Sequence, residues 1–415
     1  MRKYALIKNA KKRLRRSKRS MSDMRGYEFN IPDYVSAVME RLFSHGESVY
    51  IVGGSLRDSL LKKEAHDFDL ASSALPESVK GMFPDMHVIP TGFSHGTVTI
   101  VSQGHPIELT TFRVDGEYRD MRHPDGVIYT KKIEEDLSRR DFTINAMAYN
   151  DREGLIDIFD GERDLKNRII RTVRDPRERF CEDALRIMRA FRFSAQLGFE
   201  IEEKTLDAAS SLADRLEFIS KERILVELTK LITSPYPEKP LRLMRDRGVM
   251  KYIFDGYLPS DRAIDALSYA ERDEIARLAL FFSDTDGEKA RFELSRLKAS
   301  NKQKAAASVV DAQKTSISTR EELVRVRAAI GDNAFTALKN SVILGNSQSS
   351  ALALLNDKTP CSISELAIGG KELMALGFEG REIGKILSFL LEEVIKSPKL
   401  NEKEALIEIA RMAKF

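Results

Sequence analysis

The chain has 415 residues, 42% hydrophobic and 32% charged, ordinary values for a globular protein with room for about two to four domains. No run approaches the roughly 18 apolar residues a membrane-spanning helix needs, and the N-terminus lacks the apolar core of a secretory signal. Two cysteines, Cys181 and Cys361, make no disulfide framework, so a reducing cytoplasm is the expected compartment. The net charge of +3 conceals an asymmetry: the first twenty residues hold ten Lys or Arg and no acid, leaving 57 basic against 64 acidic residues beyond them. A basic leader of this kind, residues 1–26, either contacts RNA phosphates or stays solvated, with a mitochondrial transit peptide as a third option.

In chain order, the region 27–165 alternates short β-rich runs with turns. "SVYIVGG", "HDFDLA", "GTVTIV", "PIELTTF" and "GLIDIF" read as strands. From about 166 the apolar spacing changes to three and four, and "DPRERFCEDALRIMRAFRFSAQLGF" and "ISKERILVELTKLIT" read as amphipathic helices. "SPYPEKP" at 234–240 is a turn, after which helix follows helix to a last long one near 380–397, closed by "SPKLN". No internal repeat is present. The pattern predicts an α/β head at 27–165, a helical neck at 166–232, a helical body at 233–330 and a helical tail at 331–415.

Chemistry concentrates in the head. "VYIV" runs into "GGSLRD", placing Gly53 and Gly54 at a strand-to-helix turn, where backbone N–H groups can approach a phosphate closely. Arg57, one turn in, can offer a forked cation to the same phosphate. Asp67 and Asp69 stand two apart on a predicted strand, so both carboxylates share one face, with Phe68 on the other. Adjacent acids repel unless a cation neutralises them, and hard oxygen ligands suit Mg²⁺. A third ligand, Glu108 or Asp141, stays open between the two. "EDALRIMRAFR" spaces Asp183, Arg186, Arg189 and Arg192 by three, predicting a slow spiral down one side of a single helix. "DFTINAMAY" is expected to begin another helix, capped by Asp141.

Gly-Gly, Arg and Asp-x-Asp in succession resemble the head of the polymerase-β-type nucleotidyltransferases. The ordered continuation "TGFSHGTVTI", "IELTTFRVDGEYRDMRHP", "EEDLSRRDFTINAMAYN", "DPRERFCEDALRIMRAFRFSAQLGF" and "ISKERILVEL" resembles the bacterial class II tRNA nucleotidyltransferase and poly(A) polymerase family, and within it the CCA-adding branch. "GGKELMALGFEGREIGKILSFLLEEVI" resembles that family's C-terminal end.

The resemblance implies a polymerase-β-type α/β head followed by an elongated all-α neck, body and tail. It further implies addition of C, C and A to the 3′ end of tRNA from CTP and ATP, without a nucleic-acid template. Asp67 and Asp69 would be the catalytic carboxylates holding two Mg²⁺ ions, with Gly53, Gly54 and Arg57 on the phosphates. Arg140 would meet the nucleotide's phosphates or ribose, and Asp183 and Arg186 would serve as a protein template for the base. Arg189 and Arg192 would reach the triphosphate and orient the template.

The template has a chemical rationale. A carboxylate only accepts hydrogen bonds and a guanidinium only donates, so the pair matches the amine-beside-ring-nitrogen edge shared by cytosine and adenine. The charged loop 113–126 is retained at length, whereas CC-only enzymes of the family it resembles typically lack part of it, and its Gly and charge content suits a mobile lid or an exposed hairpin. The alternatives are an A-adding enzyme or poly(A) polymerase and, from a different class, a non-catalytic RNA-binding protein. The helical remainder is expected to cradle the acceptor arm and elbow of tRNA through shape and phosphates. No membrane and no protein partner are expected.

Overall fold

A computed structural model describes residues 30–65, 67–115 and 127–413. The basic leader and most of the charged loop 113–126 lie outside the described residues. Contacts divide the chain into two units, one running to residue 224 and including 246–253, the other comprising 225–245 and the chain from 254 onward.

The first unit is built on a seven-stranded sheet of order β3-β4-β5-β2-β1-β8-β9. Its strands are β1 (Val49–Val52), β2 (Asp69–Ser72), β3 (His87–Gly92), β4 (Thr97–Ser102), β5 (His105–Thr111), β8 (Met147–Asn150) and β9 (Gly154–Asp157). All pairings are antiparallel except β2 with β5. The four residues of β1 are buried, as expected of a strand flanked by β2 and β8 and covered on both faces. Helix α1 (Asp33–Ser44) lays Val35, Val38, Met39 and Leu42, an apolar stripe at helical spacing, against β1 and β4. On the other face, Tyr50, Val52, Ala71, Phe112 and Ala148 pack with Ile133 and Leu137 of a short helix, Ile133–Ser138. The β4–β5 hairpin turns on Gln103 and Gly104, both at positive φ, as a two-residue primed turn demands. A separate two-stranded ribbon, β6 (Arg113–Asp115) with β7 (Val127–Tyr129), flanks the charged loop.

Three local expectations are corrected. The strand expected over "HDFDLA" begins only at Asp69, and Asp67 sits in a bend before it. "DFTINAMAY" forms no helix: a short 3₁₀ turn at Thr143–Asn145 leads into β8, whose backbone pairs with β1 and β9. Sheet pairing there overrides helical spacing. The long helix expected across "DPRERF…" is two, Pro176–Glu182 and Leu185–Leu197, separated by Asp183 and Ala184. Asp183 is extended (φ −146°, ψ 104°) and accepts the Leu185 N–H at 3.0 Å, a local bond that competes with continuing the helix. The four-residue spiral is therefore broken: Asp183 precedes the helix that carries the three arginines.

The second unit is helical. Arg277, 3% exposed, donates to the carbonyls of Ile232, Ser234, Ala270 and Glu271, tying three chain segments together. The expected last long helix is present at Arg381–Lys396, burying Ile386, Leu387, Leu390 and Val394 and ending before Pro398. Among the described residues no helix is long and apolar enough to cross a membrane.

Candidate active site

The turn after β1 sets the geometry. Gly53 has φ +72°, and the helix Gly53–Leu60 starts there without a connecting loop. A Cβ on Gly53 would lie 3.4 Å from Asp69 Oδ2 and 3.6 Å from Arg140 Nη1, and one on Gly54 would lie 3.7 Å from Arg57 Nη2. The missing side chains thus leave a cradle bordered by an acid and two cations. Register places Asp69 between Val52 of β1 and Glu108 of β5.

Asp67 is exposed, while Phe68 is buried on the opposite side and Asp69 is partly buried. Burial pushes the Asp69 carboxyl up to about 6, helped by the nearby charges of Glu108 and Asp67 and opposed by Arg140. Three acids gathered with incomplete compensation fit a divalent cation, whose charge would offset their repulsion. Among the described residues no three His, Cys, Asp or Glu side chains stand close enough together to form a metal cage by themselves. Of the two candidates for a third carboxylate, Glu108 stands beside Asp69. Asp141 is committed elsewhere.

Asp141 is the hub of a buried network. Its Oδ2 takes the Arg189 guanidinium (Nε at 2.7 Å, Nη2 at 2.5 Å), and its Oδ1 accepts from Phe142 N–H and from Asn145 Nδ2. Burial opposes ionisation, yet Arg189, the Phe142 N–H and the nearby Arg186 charge overcome it and hold the carboxyl down at about 2. Asn145 Oδ1 in turn accepts from Arg57 Nη1 at 2.9 Å. Arg57 is 3% exposed and spends its other nitrogens on Asp58, so it supports the turn from beneath. The Arg57, Arg189 and Arg192 guanidiniums lie 5.5, 5.2 and 3.9 Å from the centre of the Phe193 ring.

Arg140 is held by Asp136, a buried carboxylate that also binds Arg139. Both arginines keep Asp136 ionised against its burial. Arg186 donates to Glu182 and to the carbonyls of Arg179 and Arg139, and Arg179 also pairs with Glu182. Asp183 pairs with Arg223 at 2.9 Å. Gly53, Asp69 and Arg140 therefore converge on the cradle, with Gly54 and Arg57 beside it. Arg189 is linked to that cluster through Asp141, Asn145 and Arg57.

Sequence reasoning assigned no role to Asn145, Phe193, Asp136 or Arg223. Only Asp136 carried a readable signal, standing three and four residues before the arginine pair, the spacing of ion pairs on a helix.

A mixed sheet with a Gly-Gly turn, clustered carboxylates and buried arginines defines a nucleotidyltransferase. Residues 49–171 match the model of the Poly A polymerase head domain, 198–259 that of the "Probable RNA and SrmB- binding site of polymerase A", and 270–410 that of tRNA nucleotidyltransferase domain 2. The CCA-adding enzyme of Pediococcus pentosaceus is 38% identical over 384 residues, 89% of this chain and 95% of that protein. The CCA-adding enzyme of Lactococcus lactis subsp. lactis is 38% identical over 391 residues, 90% and 96% of the two chains. The Bacillus stearothermophilus CCA-adding enzyme, solved in complex with CTP, superposes with TM-score 0.75 at 29% identity, covering 91% of this chain and 96% of that one. The chain belongs to the CCA-adding enzymes, template-independent nucleotidyltransferases that complete the 3′ end of tRNA.

Proposed function

We propose that this chain carries out all three additions, C, C and A, from CTP and ATP on tRNA, at the cradle around Gly53. The observation that supports this most is the convergence of Gly53, Asp69, Glu108 and Arg140, which brings a glycine turn, two acids and a guanidinium to one place. Nucleotidyltransferases of this family generally use divalent metal ions, and Mg²⁺ suits an all-carboxylate set. Asp67 and Asp69 would hold it, with Glu108 adjoining. The chemistry such an ion would supply there is a lowered pKa for the primer hydroxyl and neutralised charge on the departing oxygens.

The chain's own groups do the positioning. Arg140, braced by Asp136, meets the phosphates, and the N–H groups of Gly53 and Gly54 line the same space. Arg57 and Arg189 hold the framework through Asn145 and Asp141, and Arg192 extends the cationic rim beside Phe193. The terminal hydroxyl of tRNA attacks the α-phosphate in line, and pyrophosphate leaves.

Base choice falls to Asp183 and Arg186. The carboxylate accepts from the exocyclic amine of cytosine or adenine, and the guanidinium donates to the ring nitrogen. Uracil and guanine present the reverse order and leave polar groups unpaired, at a cost of about 1–3 kcal/mol each. The helical regions would cradle the tRNA acceptor arm and elbow. The free cysteines Cys181 and Cys361 accord with a cytoplasmic enzyme.

Asp183→Ala tests the base assignment through single-nucleotide incorporation with all four triphosphates, alongside a thermal melt. Discrimination against UTP and GTP should fall by about 5- to 150-fold while incorporation survives. A variant that melts lower yet still takes only C and A would refute it.

A further inference from the structure

Asp183 occupies the two-residue interval between helices Pro176–Glu182 and Leu185–Leu197, where no run of helical side chains braces it. Two contacts fix its carboxylate. Oδ1 accepts the Leu185 N–H at 3.0 Å, and Oδ2 accepts from Arg223 Nη2 at 2.9 Å. The first contact alone anchors one oxygen and leaves the carboxylate free to turn about it. The second fixes the plane.

Arg223 reaches across from the first turn of the helix Lys221–Ile232, in the segment "ISKERILVEL". Both partners remain partly open, Asp183 at 21% and Arg223 at 32% side-chain exposure. Each carboxylate oxygen carries two acceptor directions, so the two contacts leave Asp183 with capacity for an incoming amine.

We propose that Arg223 is a positioning residue for base selection, holding the Asp183 carboxylate in the orientation from which it accepts the amine of cytosine or adenine. The inference rests on Asp183 being the base-selecting acceptor. Its physical basis is preorganisation: an acceptor already turned toward the base loses little freedom on binding, and a misaligned hydrogen bond discriminates weakly. Arg223 pairs with Asp183, so its effect runs through that carboxylate and appears in base choice.

The experiment measures kcat/KM for CTP, UTP, ATP and GTP on tRNA of matched 3′ ends, with Arg223→Ala, Arg223→Lys, Asp183→Ala and the Asp183→Ala/Arg223→Ala double variant. Arg223→Ala should narrow the CTP:UTP and ATP:GTP ratios by about 3- to 30-fold. Arg223→Lys, which keeps a charged donor, should restore part of the loss. The double variant should discriminate no worse than Asp183→Ala alone. These ratios are independent of the folded fraction, so a purely structural role would lower the melting temperature and leave them unchanged. Unchanged ratios in Arg223→Ala beside narrowed ratios in Asp183→Ala would overturn the role of Arg223 alone. Tighter CTP binding in Arg223→Ala would also overturn it, by making Arg223 a competitor for the carboxylate. Unchanged ratios in Asp183→Ala would overturn the underlying reading of Asp183, and this inference with it.

Discussion

Replacing Asp141 with Asn removes one charge and keeps the shape of the side chain. In the folded protein the Asp141 carboxyl is held down at about 2, against an ordinary 3.8, because the Arg189 ion pair, the Phe142 N–H and the nearby Arg186 charge outweigh its burial. That difference is worth about 2–3 kcal/mol in favour of the charged form, or roughly sixtyfold in an equilibrium. Because the folded value lies below the unfolded one, the stabilisation is fully present above about pH 4 and is lost as the pH falls from 3.8 toward 2. Asp141→Asn should therefore show the whole deficit at pH 7 and keep it down to pH 5. The chain divides into two contact units, so the readout should be local: hydrogen exchange of peptides covering 141–150 and 185–193. Protection there should fall about sixtyfold relative to wild type at the same pH. Equal protection at pH 7, or a difference that disappears between pH 7 and 5, would refute the charge-pair argument.

Asp67→Ala and Asp69→Ala should each abolish nucleotide incorporation, and Asp67→Ala should leave the melting temperature unchanged because its side chain is exposed. Normal turnover in either variant would remove the carboxylate assignment. Deleting residues 2–20, with their ten basic side chains, should weaken tRNA binding at low salt and flatten the dependence of log affinity on log salt. An unchanged slope would return the leader to a solvated segment without an RNA contact.

The parts of the fold legible in the sequence are those where local and tertiary demands agree. The run Val49–Val52 is continuously apolar and is the buried β1, and Gly53 follows at a backbone angle that glycine adopts freely. Gln103 and Gly104 sit where the hairpin needs two residues at positive φ. The expectation failed where distant partners decide. Met147–Asn150 has helix-compatible spacing, but β1 and β9 offer it backbone partners on both sides. The break at Asp183 is a single side chain bonding Leu185 N–H and a distant Arg223, which no periodicity displays.

The site shows the same division. Gly53, Asp69 and Arg140 meet as their motifs imply. Arg57 carries the right motif, yet it is turned inward to Asn145 and Asp58, a fate set by burial. The choice between Glu108 and Asp141 beside Asp69 was likewise closed to sequence alone. It depends on the β2–β5 register and on where Arg189 points.

One site in this chain should add C, C and A in turn. This is tested by offering tRNA lacking one, two or three terminal nucleotides to the purified protein with Mg²⁺ and each nucleoside triphosphate singly. The primers lacking three and two nucleotides should take C, the primer ending in CC should take A, and none of them should take more than negligible U or G. Addition of A alone, confined to the CC end or continuing as a run of A, would contradict this.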